Sequence, residues 1–173
     1  MNWGSMTFKT ADLCDELCDT SPNNQCDFAQ VTGNSFISYG GESRFYGEIV
    51  TLKLFEDNQL IRDQVNSDGT GKVLVVDGGA SMRRALLGDQ LASKALENGW
   101  NGILINGCIR DSVDMATMEL GVLALGTHPH KTIKKGVGEI NVSVTFSGLN
   151  FEPADFIYID EDGIVVSEKP LIT

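Results

Sequence analysis

The chain has 173 residues, enough for one domain with its own hydrophobic core. Hydrophobic residues make up 42% of the sequence and charged residues 21%, which is typical of a globular protein. The formal net charge of -11 argues against direct binding of nucleic acid, because clustered lysines and arginines are what bind a phosphate backbone. We expect neither a signal peptide nor a membrane span, since the first residues are acidic and no apolar run approaches roughly 20 residues.

The cysteines favour an intracellular protein without a zinc site. Cys14, Cys18 and Cys26 cluster near the start, and Cys108 stands alone. Three residues separate Cys14 from Cys18, one more than in common zinc motifs, and no histidines follow at a matching spacing. We therefore expect four reduced thiols in a cytoplasmic protein.

The first part of the chain predicts short elements between polar turns. Residues 10–18 are typical of a helix, with Thr10 as its N-cap and acids in its first turns. A strand end is predicted at residues 35–39, and the alternation over residues 46–55 predicts a strand. Residues 58–69 predict a helix that a glycine closes.

The central part predicts a parallel crossover. Residues 72–77 form a continuous β-branched run, which indicates a strand buried on both faces. A helix is predicted at residues 88–98, and a second buried strand at residues 103–105, broken by Asn106-Gly107. Strand, helix and strand in this order predict one α/β domain with many short strands. Later strand candidates are residues 121–126, 142–148, 156–160 and 164–167.

Both ends of the crossover carry residues suited to a small anion. Ligands of open α/β sheets bind beyond the carboxyl ends of the strands, where Arg110-Asp111 and the start of the helix should meet. Backbone amides of Gly88-Asp89-Gln90-Leu91 favour a carboxylate, and Arg110 can compensate its charge. Asp111 offers hard oxygen ligands to Mg²⁺ or Mn²⁺, with Asp89 completing the shell through water.

Structural explanations of the same residues remain open at this point. An acid in the first turn of a helix often complements the helix dipole, which would account for Asp89. Neighbouring Arg110 and Asp111 could form a surface ion pair of little energetic value. Spacing alone therefore indicates only a small anion site.

Three sequence motifs, in a fixed order, resemble those of one known family. They are VLVVDGG at residues 73–79, RALLGDQLA at residues 84–92 and NGWNGILINGCIRD at residues 98–111. The family is that of the regulator of ribonuclease activity A (RraA), which includes the class II 4-hydroxy-4-methyl-2-oxoglutarate / 4-carboxy-4-hydroxy-2-oxoadipate aldolases. The resemblance runs from about Thr10 to the end of the chain, so we expect a single RraA-like domain over residues 1–173, with residues 1–9 as a disordered extension.

The resemblance implies a swivelling β/β/α fold of layered mixed sheets, assembled as a homotrimer or a dimer of trimers. It implies that Gly88, Asp89, Gln90, Leu91 and Arg110 bind substrate and that Asp111 ligates Mg²⁺ or Mn²⁺. Arg110 would polarise the keto oxygen, and Asp89 would orient a water that acts as acid or base.

The implied reaction is that of a metal-dependent lyase. A 4-hydroxy-2-oxo acid would undergo retro-aldol cleavage to pyruvate and a second keto acid through a metal-stabilised enolate. Decarboxylation of oxaloacetate would likewise pass through the enolate of pyruvate. Aldolases of this family extend further at the C-terminus, so we expect inefficient cleavage of the larger substrates by a chain ending at Thr173.

The same resemblance supports a second function, inhibition of a ribonuclease such as RNase E by protein binding. A net charge of -11 suits a basic, RNA-directed partner. The presence of Asp89, Arg110 and Asp111 favours the enzyme, because an inhibitor needs no metal ligand. His128 and His130 also invite a metal assignment, but Pro129 and the nearby lysines favour an exposed loop.

Overall fold

A mixed β-sheet forms the middle layer of the protein in the computed structural model, which describes residues 7–18, 26–33 and 35–172. The sheet has the strand order β1-β12-β11-β3-β4-β6-β7-β2, with β5 added beside β6 and β8 beside β3. The elements are α1 Thr10–Leu17, β1 Ala29–Gly33, β2 Ile37–Ser38, β3 Phe45–Leu54, α2 Gln59–Val65, β4 Lys72–Asp77, β5 Ala85–Leu87, α3 Asp89–Glu97, β6 Gly102–Ile109, α4 Ser112–Met115, β7 Gly121–Thr127, β8 Gly138–Ile140, β9 Val144–Phe146, β10 Leu149–Phe151, β11 Phe156–Ile159 and β12 Gly163–Ser167.

The centre of the sheet is parallel and contains the predicted crossover. Strands β3, β4, β6 and β7 run parallel in that order, and α3 lies between β4 and β6 in the chain. The β-branched run of β4 forms a strand there because both of its faces are buried, which favours continuous apolar residues over alternation.

Two hydrophobic layers cover the two faces of this sheet. Leu74 and Val76 point to the layer that contains the helices. Val73 and Val75 point to the opposite layer, where the two-stranded sheet of β9 and β10 packs. The predicted fold class, α/β with mixed sheets in layers and a parallel crossover, is confirmed.

Helix α2 is shorter than predicted, because Gly69 has another role. The helix ends at Val65 with Asn66 as its C-cap. Gly69 instead lies under the buried indole of Trp100, and a Cβ at Gly69 would fall within 2.3 Å of ring atoms. Trp100 is a core residue, and its indole N–H donates to the Ser67 carbonyl.

Strand β6 continues through Asn106-Gly107, so the predicted break there is wrong. The Asn106 side chain donates to the Asp77 carboxylate at 3.0 Å, which satisfies a polar group that is almost fully buried. The register shifts between Ile105 and Cys108, where β5 replaces β4 as the neighbour of β6.

Helix α1 begins at the predicted residue with a different cap. Lys9 is the N-cap, whereas Thr10 lies inside the helix and binds Asp160 through both its amide and its hydroxyl. Residues 1–6 of the expected extension lie outside the described residues. Phe8 is buried in edge-on contact with Tyr46 and Tyr158.

The expectation of four reduced thiols is wrong for one pair. Cys18 and Cys26 form a disulfide, and the two residues also form an antiparallel bridge. Cys14 and Cys108 are free thiols. The two cysteines are eight residues apart in the chain, and their spacing alone does not show that the backbone places them side by side.

None of the helices in the described residues is long and apolar enough to cross a membrane.

Candidate functional site

The carboxyl end of β6 lies next to the start of α3, and we call the site formed there by Gly88, Asp89, Arg110 and Asp111 the mouth. The Arg110 amide donates to the Leu87 carbonyl at 2.9 Å, which joins the residue after β6 to the end of β5. Gly88 follows Leu87 as the N-cap of α3. The structure therefore brings together Gly88, Asp89, Arg110 and Asp111, as the crossover predicts.

Gly88 is the point at which the charged side chains converge. A Cβ on Gly88 would lie 2.8 Å from the Asp111 carboxylate oxygen Oδ2 and 3.2 Å from the Arg110 Nε. Any larger residue would push the two side chains away from the start of α3. The glycine is needed here for close approach, since its backbone φ of -131° is open to every residue.

Asp111 is held in a backbone conformation that few residues other than glycine adopt. Its φ is 58°, and it serves as the N-cap of α4. The left-handed conformation costs about 1 kcal/mol or more for a residue with a side chain. It turns the chain from β6 into α4 and leaves the carboxylate 3.5 Å from the Arg110 Nε.

The first amides of α3 are already hydrogen-bonded to acidic side chains. The Asp89 amide donates to Asp111 Oδ2 at 3.3 Å, and the Gln90 amide donates to Asp89 Oδ1 at 2.7 Å. A substrate carboxylate that used the Gln90 amide would have to displace the Asp89 side chain. Leu91 lies in the same first turn, with its side chain buried in the helix-side core.

The donors at the mouth suit a hydrated hard cation. Among the described residues, no group of three or more histidines, cysteines and acids is placed to hold a metal. The mouth offers two carboxylates, Asp89 and Asp111, and the Asp111 side chain is 34% exposed. Mg²⁺ is commonly bound by one or two carboxylates and keeps several waters, so these residues fit such an ion.

A second segment borders the mouth, and the sequence alone did not predict its place beside Arg110. Residues 128–133 leave the end of β7 and pass beside β5, where the Ala85 amide donates to the His130 carbonyl at 2.8 Å. The His128 amide donates to the Ile109 carbonyl at 2.9 Å, so His128 lies next to the strand end that carries Arg110.

Asp57 anchors the continuation of this segment. Its buried carboxylate accepts hydrogen bonds from the amides of Gln59, Lys135 and Val137 at 3.0 Å each. Burial raises the pKa of Asp57, but the amides that donate to it outweigh burial and hold the pKa below its ordinary value. The sequence signal for this role of Asp57 was the Asp57-Asn58 pair just before α2, because aspartate and asparagine side chains accept hydrogen bonds from the first amides of a helix.

Comparison with known proteins places this chain in one family. The family profile described as RraA-like: Aldolase/RraA matches residues 10–166. A candidate 4-hydroxy-4-methyl-2-oxoglutarate aldolase of Dechloromonas aromatica (strain RCB) is 54% identical over 166 residues, which cover 96% of this chain and 99% of the relative.

Two solved structures share the fold over almost the whole chain. The RNA-processing inhibitor RraA from Thermus thermophilis matches with a TM-score of 0.87 and 38% identity, covering 96% of each chain. A structure described as an S-adenosylmethionine: 2-dimethylmenaquinone methyltransferase from Geobacillus kaustophilus HTA426 has the same TM-score and 46% identity, over 95% of this chain and 97% of that one. On the profile, the sequence identity and the fold, this chain belongs to the RraA-like family.

Proposed function

We propose that this protein is a lyase that cleaves 4-hydroxy-4-methyl-2-oxoglutarate (or 4-carboxy-4-hydroxy-2-oxoadipate) to pyruvate and a second keto acid, and that it decarboxylates oxaloacetate. The observation that carries the proposal is the convergence of the Arg110 guanidinium and the Asp111 carboxylate on Gly88 at the start of α3. The identity of 54% to a relative named as a candidate aldolase supports the same reaction class.

Asp111 and Asp89 would hold a divalent cation, Mg²⁺ or Mn²⁺, together with water. When bound, such an ion supplies Lewis-acid polarisation of a keto oxygen.

The side chains of the mouth account for the other requirements of a retro-aldol cleavage. The 4-hydroxyl proton leaves to a base, the electrons of the C3–C4 bond pass into the enolate of pyruvate, and protonation at C3 completes the product. Asp89, once displaced from the Gln90 amide, would orient the water that moves these protons. Arg110, with its side chain 40% exposed, would face the keto oxygen and stabilise the developing negative charge.

The first test is pyruvate release from 4-hydroxy-4-methyl-2-oxoglutarate and from oxaloacetate, with Mg²⁺ or Mn²⁺ and then with EDTA. We expect Asp111→Asn to lower turnover by about 100-fold or more, because it removes the charged ligand at the mouth. Asp114→Asn is the matched control, since Asp114 is an exposed acid on α4 and should leave turnover unchanged. Full activity of Asp111→Asn, or activity in EDTA equal to that with metal, would remove the metal-dependent mechanism.

A protein-binding regulator of a ribonuclease is the second candidate. It is favoured by the 38% identity to a protein described as an RNA-processing inhibitor and by the net charge of -11, which suits a basic partner. Absence of turnover on both substrates, together with saturable inhibition of a ribonuclease such as RNase E, would support this candidate over the lyase.

A further inference from the structure

Arg84 is a half-buried cation beside the mouth, and no acid among the described residues forms an ion pair with it, although its charge is near enough to help lower the pKa of the Glu56 carboxyl. Its Nη1 contacts the His130 Nε2 at 3.0 Å and donates to the Lys131 carbonyl at 3.1 Å. Neither contact neutralises the guanidinium. Arg83, the neighbouring residue, is ion-paired to Glu56 at 2.9 Å and has a side chain that is 74% exposed.

The contacts to Arg84 hold the guanidinium in place without neutralising it. A hydrogen bond from the guanidinium to His130 Nε2 uses the tautomer in which that nitrogen carries a lone pair. The His130 amide in turn donates to His128 Nδ1 at 3.1 Å, which ties the two histidines of the segment together. Arginine is suited to a carboxylate because its N–H groups match both oxygens.

The position of Arg84 links it to the site around Gly88. Arg84 precedes β5, and three residues later Leu87 accepts the Arg110 amide. Thr127 and Ile109 are register partners on the parallel strands β7 and β6, so His128 and Arg110 follow paired residues. The segment of residues 128–131 connects the two places, because His128 lies beside the strand end that carries Arg110 and His130 contacts Arg84 at the start of β5.

Basic residues are concentrated around Arg84. Arg84 and Lys131 lie on two segments joined by the Ala85–Lys131 bridge, and Lys134 and Lys135 follow shortly after. Arg83 adds little net charge because it is ion-paired to Glu56, so Arg84 and the lysines are the cations that favour an anion here.

We propose that Arg84, positioned by His130, binds the second carboxylate of a dicarboxylic keto acid whose keto end lies at Gly88 and Arg110. The inference rests on the proposed function, since it names how the enzyme would prefer substrates with a carboxylate at both ends over pyruvate-sized acids. Arg84 is a substrate-binding residue in this role and takes no part in breaking the C–C bond.

The test is binding of three probes, measured by isothermal titration calorimetry in the presence of MgCl₂. Pyruvate has one carboxylate and a keto group, 2-oxoglutarate has two carboxylates and a keto group, and glutarate has two carboxylates and no keto group. We expect the wild type to bind 2-oxoglutarate about tenfold or more tightly than pyruvate, as a charge-assisted hydrogen-bonded pair would give. Arg84→Gln should lose that preference and leave pyruvate binding unchanged.

Two further variants separate the role of Arg84 from general charge and from folding. Arg83→Gln removes the same charge one residue away and should preserve the preference, because Arg83 is paired with Glu56. Arg84→Lys keeps the charge and should retain part of the preference. The proposal is overturned if Arg84→Gln weakens pyruvate and 2-oxoglutarate equally, or if the wild type binds pyruvate and 2-oxoglutarate with equal affinity.

Glutarate keeps this result separate from the proposed reaction. Arg84-dependent glutarate binding in a protein without lyase activity would retain the carboxylate site and remove the proposed function. Lyase activity with no effect of Arg84→Gln on the binding of any probe would support the proposed function and overturn the Arg84 proposal. No binding of any probe by the wild type would overturn the Arg84 proposal.

Discussion

At the scale of single residues, Asp160 ties α1 to the sheet. Its buried carboxylate accepts from the Thr10 hydroxyl at 2.6 Å and the Thr10 amide at 2.7 Å. Burial raises the pKa of Asp160, but these and other hydrogen bonds outweigh burial and hold the pKa below the ordinary 3.8. Asp160→Asn should lower the free energy of unfolding at pH 7 by about 1.5–3 kcal/mol, the range for hydrogen bonds to charged groups.

The pH dependence of that difference follows from the direction of the shift. Because the folded pKa lies below the unfolded one, the stabilisation is present above about pH 4 and is lost as the pH falls through the folded pKa. Urea unfolding of wild type and Asp160→Asn at pH 7 and at pH 3 measures this. Asp162→Asn, at the exposed neighbouring acid, is the control. A stability difference that stays constant down to pH 3 would contradict the assignment.

At the scale of elements, β6 and β7 pack against β3 through paired glycines. Gly102 and Gly121 are register partners, and a Cβ on either would lie within 2.4 Å of the Phe45 ring. Gly121→Ala should therefore lower the free energy of unfolding by about 1–3 kcal/mol through overpacking. Gly126→Ala in the same strand should cost less, since its Cβ would meet only the terminal methyl of Met82.

Urea unfolding of both glycine variants is the measurement, and Phe45→Ala supplies a check on the cause. In the background of Phe45→Ala, the further change Gly121→Ala should cost much less, because the ring that it strikes is gone. If Gly121→Ala lowers the free energy of unfolding equally in both backgrounds, contact with the Phe45 ring is not the cause.

At the scale of the whole molecule, exposed apolar side chains surround the segment at Glu56-Asp57. Phe55, Ile133, Val137 and Ile140 are all at least 40% exposed. The Ile133 amide donates to the Glu56 carbonyl, and Ile140 pairs with Leu52 across β8 and β3. Clustered exposed apolar groups are typical of an interface, and we predict the homotrimer that the family resemblance implies.

Light scattering after size exclusion measures the assembly. We expect a mass three times the 18.7 kDa of one chain, or a multiple of that for a dimer of trimers. Phe55→Glu should dissociate the assembly, whereas Leu96→Glu, on the exposed face of α3, should not. A monomeric wild type at micromolar concentration would contradict the prediction.

Much of the fold and of the site position could be predicted from local patterns. The β-branched run of β4 and the apolar face of α3 predicted the crossover. The crossover in turn predicted that Asp89 and Arg110 lie near each other. This works because buried parallel strands need continuous apolar residues and because a crossover returns the chain to the same edge of the sheet.

Other features depend on pairings that the order of residues does not reveal. The sequence by itself determined the α/β class, the crossover and the residues of the mouth. Only the tertiary structure decided that Cys18 pairs with Cys26, that Gly69 packs under Trp100, and that Asp89 and Asp111 occupy the first amides of α3. The physical reason is that periodicity reports which face of an element is buried, whereas a contact between residues far apart in the chain depends on register, side-chain direction and the space left by neighbouring elements.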